Sequence, residues 1–398
     1  MIDRAKRFAN RNIVCYYLIY FMFRVYGFIF SVLCFVMRIF PVEKGKIVCC
    51  NMKGKRYGDN PKYIVDEILA EESQYKIVWL MKKNIDCELP EGIRRKDYNP
   101  FSMAYELATA NVWIDSNTKP IGTLKRKGQY YIQTWHGSYG LKKMYGDIPD
   151  KINLFDECNI KYNSKIEDLF VSNSRFYSEI YHRAFWYDGE ILECGSPRND
   201  IFFNEEFECT DKVKKYFHTE DKRMLLYAPT YRNDFKTDAY KIDFDRLIDN
   251  LEKKFGGAWV VLVRLHPHNI MDASDFLTYN DKIINATDYS VMQELLVACD
   301  ILISDYSSCM FDFVTTKKPC FMYASDAKKY KDEHDFYFDI YNLPFPLAEN
   351  NDEMENVIMN FEDGEYKANL EKMFEKVGLC ESGKACKAVV KWIKERIG

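Results

Sequence analysis

Two of the six histidines follow apolar runs and sit beside helix-breaking residues. Trp135-His136-Gly137 comes after Tyr-Tyr-Ile-Gln-Thr, and His266-Pro267-His268 comes after Trp-Val-Val-Leu-Val-Arg-Leu. Both runs predict strands, and in open α/β sheets the carboxyl ends of strands form the ligand crevice. An imidazole placed there can take or give a proton near neutral pH, as transfer of a group to a hydroxyl requires. For His182, His218 and His334 a structural role is the preferred reading.

A second group of residues suggests anion chemistry. Asp300-Ile-Leu-Ile-Ser-Asp-Tyr-Ser-Ser308 reads as a buried strand ending at Ser304, followed by Asp305, Tyr306, Ser307 and Ser308 at the start of a helix. Free amides and serine hydroxyls at a helix start can cradle a phosphate. Ordinary N-capping explains the local motif equally well. Leu225-Leu-Tyr-Ala-Pro-Thr-Tyr-Arg232 reads as a strand that turns to present Thr230 and Arg232. Arg232 could neutralise a pyrophosphate, although a strand-end arginine more commonly forms an ion pair. Arg264 alternates with His266, shares its face, and is expected to hold a carboxylate. Gly137 permits close backbone approach, with Lys142 and Lys143 following. Gly195-Ser-Pro-Arg-Asn-Asp200 reads as a turn closing a cleft, with Arg198 and Asp200 facing it.

The elements that must position these residues alternate. Strands are predicted at Ile47–Asn51, Tyr75–Met81, Val112–Asp115, Tyr130–Trp135 and Leu169–Ser172. A second run follows at Ile191–Cys194, Met224–Ala228, Trp259–Leu265, Lys282–Asn285, Ile301–Ser304 and Pro319–Tyr323. Helical stretches such as Pro61–Glu71, Pro100–Thr109, Asp243–Phe255, Ser290–Ala298 and Met310–Thr316 separate them, which implies parallel sheets. A break near 197–210 divides the series into two Rossmann-like halves facing a cleft, the α/β architecture called GT-B. The expected domains are 46–200 and 201–380. A final helix within 381–398 is expected to pack back on the first half.

Residues 1–45 are different in kind. The first 46 residues carry Arg4, Lys6, Arg7, Arg11, Arg24, Arg38, Lys44 and Lys46 against Asp3 and Glu43, in a chain of net charge −4. Between Ile13 and Phe40 nearly everything is apolar. The run is too long for a signal peptide, and no small-residue cleavage site follows. It is long enough to span a membrane, but Arg24 at its middle is costly in hydrocarbon. Tyr17, Tyr20, Arg24, Gly27, Ser31 and Arg38 fall on one stripe at 100° per residue, which favours a helix lying in the membrane surface. A buried helix capping the globular body is the remaining reading.

The bulk numbers agree with a globular chain. The 398 residues are 47% hydrophobic, 29% charged and 16% aromatic, enough for two cores and too apolar for disorder. The modest net charge gives no nucleic-acid footprint. Thirteen scattered cysteines without a C-x-x-C suggest reduced thiols used as apolar filler, not a disulfide framework or zinc site.

Taken together, Trp135-His136-Gly137 with Lys142, Gly195-Ser-Pro-Arg-Asn-Asp200, Ala228-Pro-Thr-Tyr-Arg232, Arg264-Leu-His-Pro267, Ser304-Asp-Tyr-Ser-Ser308 with Phe311-Asp312, and Lys318-Pro319 followed by Phe336-Tyr-Phe-Asp339 resemble the CDP-glycerol glycerophosphotransferases of teichoic acid synthesis. Ser138-Tyr139-Gly140 and Cys194-Gly-Ser depart from the common pattern. The resemblance implies a GT-B transferase that takes CDP-glycerol in its second half, uses a lipid-linked saccharide acceptor, and needs no cofactor or metal. It also implies peripheral attachment to the cytoplasmic side of the cell membrane. By resemblance His136 is the base for the acceptor hydroxyl and His266 donates to the leaving phosphate, with Arg232, Asp305, Ser307 and Ser308 at the donor phosphates. The short amino-terminal region suggests a primase-like enzyme. CDP-ribitol transfer, polymerisation, a GT-B sugar transferase using a nucleotide-diphosphate sugar, and a non-catalytic membrane scaffold are the alternatives.

Overall fold

The computed structural model describes residues 13–71, 74–137, 140–204, 206–230, 232, 240–265, 278–333 and 335–398. Among them, two sheets are built from parallel strands. The first contains β1 (Lys46–Cys50), β2 (Lys76–Met81), β3 (Ile93–Asp97), β4 (Val112–Asp115), β5 (Tyr130–Gln133), β6 (Leu169–Ser172) and β7 (Glu190–Glu193), in the order β3-β2-β1-β4-β5-β6-β7. The second contains β8 (Arg223–Tyr227), β9 (Trp259–Val263), β10 (Ile283–Asn285), β11 (Ile301–Ser304), β12 (Cys320–Tyr323) and β13 (Leu347–Ala348), in the order β10-β9-β8-β11-β12-β13. Each order reverses beside its first strand. The crevices therefore lie outside the carboxyl ends of β1 and β4, where Cys50 registers with Asp115, and of β8 and β11, where Tyr227 registers with Ile303.

Helices cover both faces of a parallel sheet, so its central strands read as continuous apolar runs. β1, β4, β6, β9, β11 and β12 are buried along their whole length. The edges read differently. β3 is Ile-Arg-Arg-Lys-Asp and only half-buried, a charged edge strand that the apolar pattern misses. The stretch at 191–194, expected to open the second run, belongs to β7 at the far edge of the first sheet, paired with β6. Helix starts are set locally: the side chains of Asn99, Asn153, Ser174, Asp243 and Asn350 each accept from a first-turn amide.

The chain crosses between the halves twice. The carboxyl-terminal helix, Ala385–Ile397, returns to the first sheet and packs Val389, Val390, Trp392, Ile393 and Ile397 against Ile47, Cys49, Ile64 and Ile68. Glu381 ties the two crossings together. Its carboxylate accepts from the Ser196 amide at 3.1 Å, Asn199 Nδ2 at 2.9 Å and Asn173 Nδ2 at 3.3 Å. Gly195 sits at φ +100°, and a Cβ there would lie 2.8 Å from Glu381 Oε2, so this turn requires glycine.

The helix Ile13–Val36 lies against the first half. Tyr16 accepts from the Leu154 amide, Tyr20 and Phe23 meet the Phe155 ring edge-on, Arg24 reaches Cys158, and Phe30 and Cys34 enter the core beside Val48 and Val78. The approach is close: a Cβ on Gly122 would stand 1.9 Å from the Gly27 carbonyl oxygen. Tyr20, Gly27 and Ser31 of the stripe thus face protein, Arg24 touches it while staying exposed, and Tyr16 takes the place expected for Tyr17, which is exposed. The opposite face leaves Phe21, Val25, Phe28, Ile29, Val32 and Phe35 in the open.

Candidate functional site

The two crevices meet around Arg198. Its guanidinium bonds Asp59 Oδ1 at 2.8 Å and the His136 carbonyl at 2.8 Å on the first half, and Asp312 Oδ2 at 2.9 Å on the second. Asp312 also receives Asn199 Nδ2 at 3.0 Å, and Asn60 Oδ1 accepts from the Arg198 amide. Arg198 and Asp312 are almost wholly buried, so these charges depend on one another. The Asp59 end belongs to the loop after β1, where Met52, Lys53 and Asp59 adopt left-handed φ between +46° and +60°. Trp135, just before His136, has φ +52°. Such strained residues persist only where surrounding contacts hold them, and they cluster at functional sites.

His136 itself stands at the end of β5. Its Nδ1 lies 2.7 Å from the Ser116 carbonyl oxygen, and a carbonyl can only accept, so Nδ1 carries the proton and Nε2 has a free lone pair. Burial is the main influence on the ring and pushes its pKa below the ordinary imidazole value, opposed by the Ser116 bond and by Asp59. The Ser116 turn is rigid: the buried Asp115 carboxylate takes Lys119 Nζ at 2.7 Å and the Asn117 amide at 2.9 Å.

Across the cleft, Lys142 of the first half joins an aromatic cluster of the second. Its backbone bridges antiparallel to Phe336, with Lys143 donating to the Asp335 carbonyl and Tyr337 to that of Leu141. The Lys142 ammonium lies 5.1 Å from the Tyr330 ring centroid, and Tyr330 stacks on Tyr306 at 3.9 Å. Among the described residues no carboxylate is within ion-pair distance of this ammonium. Burial pushes its pKa down, Asp305 draws it up, and Arg232 lowers it further.

Several sequence expectations change here. Arg232 is not an unopposed cation: it pairs with Asp305 at 2.7 Å and Asp326 at 2.7 Å and donates to the Thr230 carbonyl. Asp305 is taken up by Arg232, the Thr230 amide and hydroxyl, and the Tyr306 amide, so this carboxylate builds the floor of the turn. Thr230 is likewise turned toward Asp305. Asp200 lies away from the cleft and accepts from the Ala385 and Cys386 amides, capping the last helix. Arg264 finds no carboxylate among the described residues. It donates to the Tyr289 carbonyl at 2.6 Å, and burial together with Arg56 lowers its pKa to about 10. A Cβ on Gly137 would meet Tyr177 Oη at 3.6 Å, ordinary contact, so nothing close demands glycine there. Ser307 and Ser308 remain half-buried at the start of the short helix Cys309–Phe313. His182 is structural, with Nδ1 on the Tyr187 carbonyl. His266, His334, Ser138 and Tyr139 lie outside the described residues.

Sequence reasoning passed over Asp59, Asn60 and Arg56 as cleft residues and met Asp312 only as part of a matching stretch. The first three lie in Lys53-Gly-Lys-Arg-Tyr-Gly-Asp-Asn60, a basic glycine-containing run after the first strand, and that signal was available.

Known proteins resemble this chain in sequence and fold. The chain is 31% identical over 364 residues to a teichoic acid poly(glycerol phosphate) polymerase of Staphylococcus epidermidis, covering 86% of this chain but only 50% of that protein. It is 30% identical to a teichoic acid glycerol-phosphate transferase of Staphylococcus aureus, covering 88% and 93%. The solved wall teichoic acid polymerase TagF superposes with TM-score 0.80 at 27% identity over 95% of this chain and 97% of that one, and it has also been solved after soaking with CDPG. A teichoic acid poly(ribitol-phosphate) polymerase of Bacillus spizizenii matches as well, at 29% over 81% of this chain and 52% of its own length. The profile of the CDP-glycerol:poly(glycerophosphate) glycerophosphotransferases matches residues 32–395, and this α/β chain of paired Rossmann-like sheets belongs to that family.

Proposed function

We propose that the protein transfers glycerol phosphate from CDP-glycerol to a hydroxyl of a membrane lipid-linked saccharide and releases CMP. The observation that carries this reading is His136, held by Ser116 in the tautomer that leaves Nε2 free, with its pKa pushed down by burial, at the cleft between the two sheets. The acceptor hydroxyl gives its proton to His136 Nε2 as its oxygen bonds the β-phosphorus. The bond from that phosphorus to the bridging oxygen breaks, and CMP leaves with a proton from His266. Lys142, Arg264, Ser307 and Ser308 face the charge that builds on the phosphoryl oxygens. Arg232 and Asp305 act behind them, fixing the turn that carries the serines. No resident cofactor enters this scheme.

Attachment is proposed to be peripheral, on the cytoplasmic side. Ile13–Ile39 is long and apolar enough to cross a membrane. One side of it is packed on the first half and the rest is apolar and open, which suits a helix lying in the interface. The free state of all thirteen cysteines agrees with a reducing compartment. Addition of one or few units is the proposed outcome, with polymerisation as its alternative, and the ribitol-phosphate relative keeps CDP-ribitol as the second reading.

The test is product mass after incubation with CDP-glycerol, CDP-ribitol or a uridine-diphosphate sugar and a lipid-linked disaccharide. CDP-glycerol is expected to give CMP and a product heavier by one or few glycerol phosphates. His136→Ala should lose on the order of 10²–10⁴-fold in CMP release while staying folded. Near-normal turnover in that variant removes His136 from the mechanism, and release of a nucleoside diphosphate overturns the reaction.

A further inference from the structure

A cavity of about 430 Å³ lies between the helix Ile13–Val36 and the helix Leu154–Asn163, lined by none of the cleft residues above. Three cations border it, Arg24, Lys161 and Lys165, against one carboxylate, Glu157. Glu157 is occupied by Lys161, at 2.6 Å, and the Lys161 ammonium also lies 4.5 Å from the Trp186 ring centroid. Arg24 and Lys165 are left without a carboxylate among the described residues. The Arg24 guanidinium donates to the Cys158 sulfur at 3.5 Å, with the Tyr20 hydroxyl beside it.

The position of this pocket narrows its ligand. Arg24 shares its helix with Phe21, Phe28 and Ile29, which are 62%, 70% and 61% exposed. If that face is buried in a bilayer, the Arg24 level of the helix lies at the headgroups, where phosphates are concentrated. The same helix ends in a further basic region: Arg38 donates to the Lys125 carbonyl, and Arg126 donates to the carbonyl of Phe40. An arginine that is costly within hydrocarbon is well placed when a lipid phosphate meets it at the interface.

We propose that this pocket binds the phosphodiester headgroup of an anionic glycerophospholipid, with Arg24 and Lys165 on the phosphate and Tyr20 beside it. The site orients the enzyme on an anionic leaflet and lies outside the reaction cleft. It rests on the surface-lying reading of the amino-terminal helix given above.

The experiment is flotation of the full chain with vesicles of phosphatidylcholine alone, with added phosphatidylglycerol, or with added polyprenyl phosphate. Wild type is expected to prefer phosphatidylglycerol vesicles. Arg24→Gln with Lys165→Gln should weaken that binding roughly 10- to 30-fold, while binding to phosphatidylcholine alone is unchanged. Arg24→Lys with Lys165→Arg should restore it, and circular dichroism checks the fold of each variant. Phe21→Asp with Ile29→Asp should abolish binding to all vesicles, which tests the helix reading by itself. If the glutamine double variant keeps the wild-type preference, the pocket assignment is overturned and membrane attachment stands. If the preference appears only with polyprenyl phosphate, the glycerophospholipid assignment is overturned. If wild type binds no vesicle, both readings fall.

Discussion

Arg198→Ala removes the cation that joins the two halves of the cleft. In the structure its guanidinium holds Asp59 at 2.8 Å and Asp312 at 2.9 Å with its side chain only 5% exposed. Truncation takes the guanidinium from the Asp312 carboxylate, which is 3% exposed and keeps the Asn199 amide at 3.0 Å and Gln293 at 3.4 Å. Breaking a buried pair by deleting one member costs about 3–5 kcal/mol, because the remaining charge stays desolvated. The His136 carbonyl also loses its donor, so the loop that aims the imidazole is freed. The loss should therefore appear in two assays. Thermal unfolding should fall by roughly 6–20 °C, taking about 2–4 °C per kcal/mol for a domain of this size. CMP release below the transition should fall at saturating donor as well. Arg198→Lys keeps the charge but cannot reach three acceptors from one planar fork, and should lie between the two. Adding Asp312→Asn to the alanine variant should recover part of the stability and little of the turnover. A melting temperature within about 1 °C of wild type would refute the argument that this network is desolvated and holds the halves together.

Three other outcomes follow from the same geometry. His136 has its pKa depressed by burial, so folding favours the neutral ring; that stability is present above the ordinary value near 6.5 and declines as pH falls below it, and the acid limb of kcat/KM should lie below about 6.5. Glu381 and Glu167 are opposite cases, raised by burial to about 7 and about 8, so their stability is present in acid and lost as pH rises through 7–8; Glu381→Gln should narrow the melting-temperature difference between pH 5 and pH 8 by several degrees. Lys142→Met removes a cleft-wall cation that has no ion pair among the described residues and should raise KM for CDP-glycerol by roughly 10- to 100-fold with a smaller change in melting temperature, read from initial rates and thermal shift.

Much of the scaffold was legible because its causes are local. Val-Val-Leu-Val at β9 and Ile-Leu-Ile at β11 are buried on both faces, and a parallel strand in that position has to be apolar throughout. His136 could be recognised by its place after such a run. β3 could not, since Ile-Arg-Arg-Lys-Asp owes its extended form to pairing with β2, not to its own pattern.

For the cleft, residue types along the chain determined that imidazole, hydroxyl, carboxylate and guanidinium groups gather at strand ends. Which of them are free was decided only by tertiary contacts. Arg232 looked like a phosphate ligand until Asp305 and Asp326, 73 and 94 residues away, were found to neutralise it. Lys142 became an open cation because the other half brings an aromatic ring against it and, among the described residues, no carboxylate within ion-pair distance. The amino-terminal helix shows the same division: its polar stripe was plain in the sequence, but Phe155 and Ile121 determine that the stripe faces protein and the apolar side faces outward. The physical reason is shared. Burial patterns repeat over a few residues, whereas the compensation of a charge depends on which distant group the fold brings within about 4 Å.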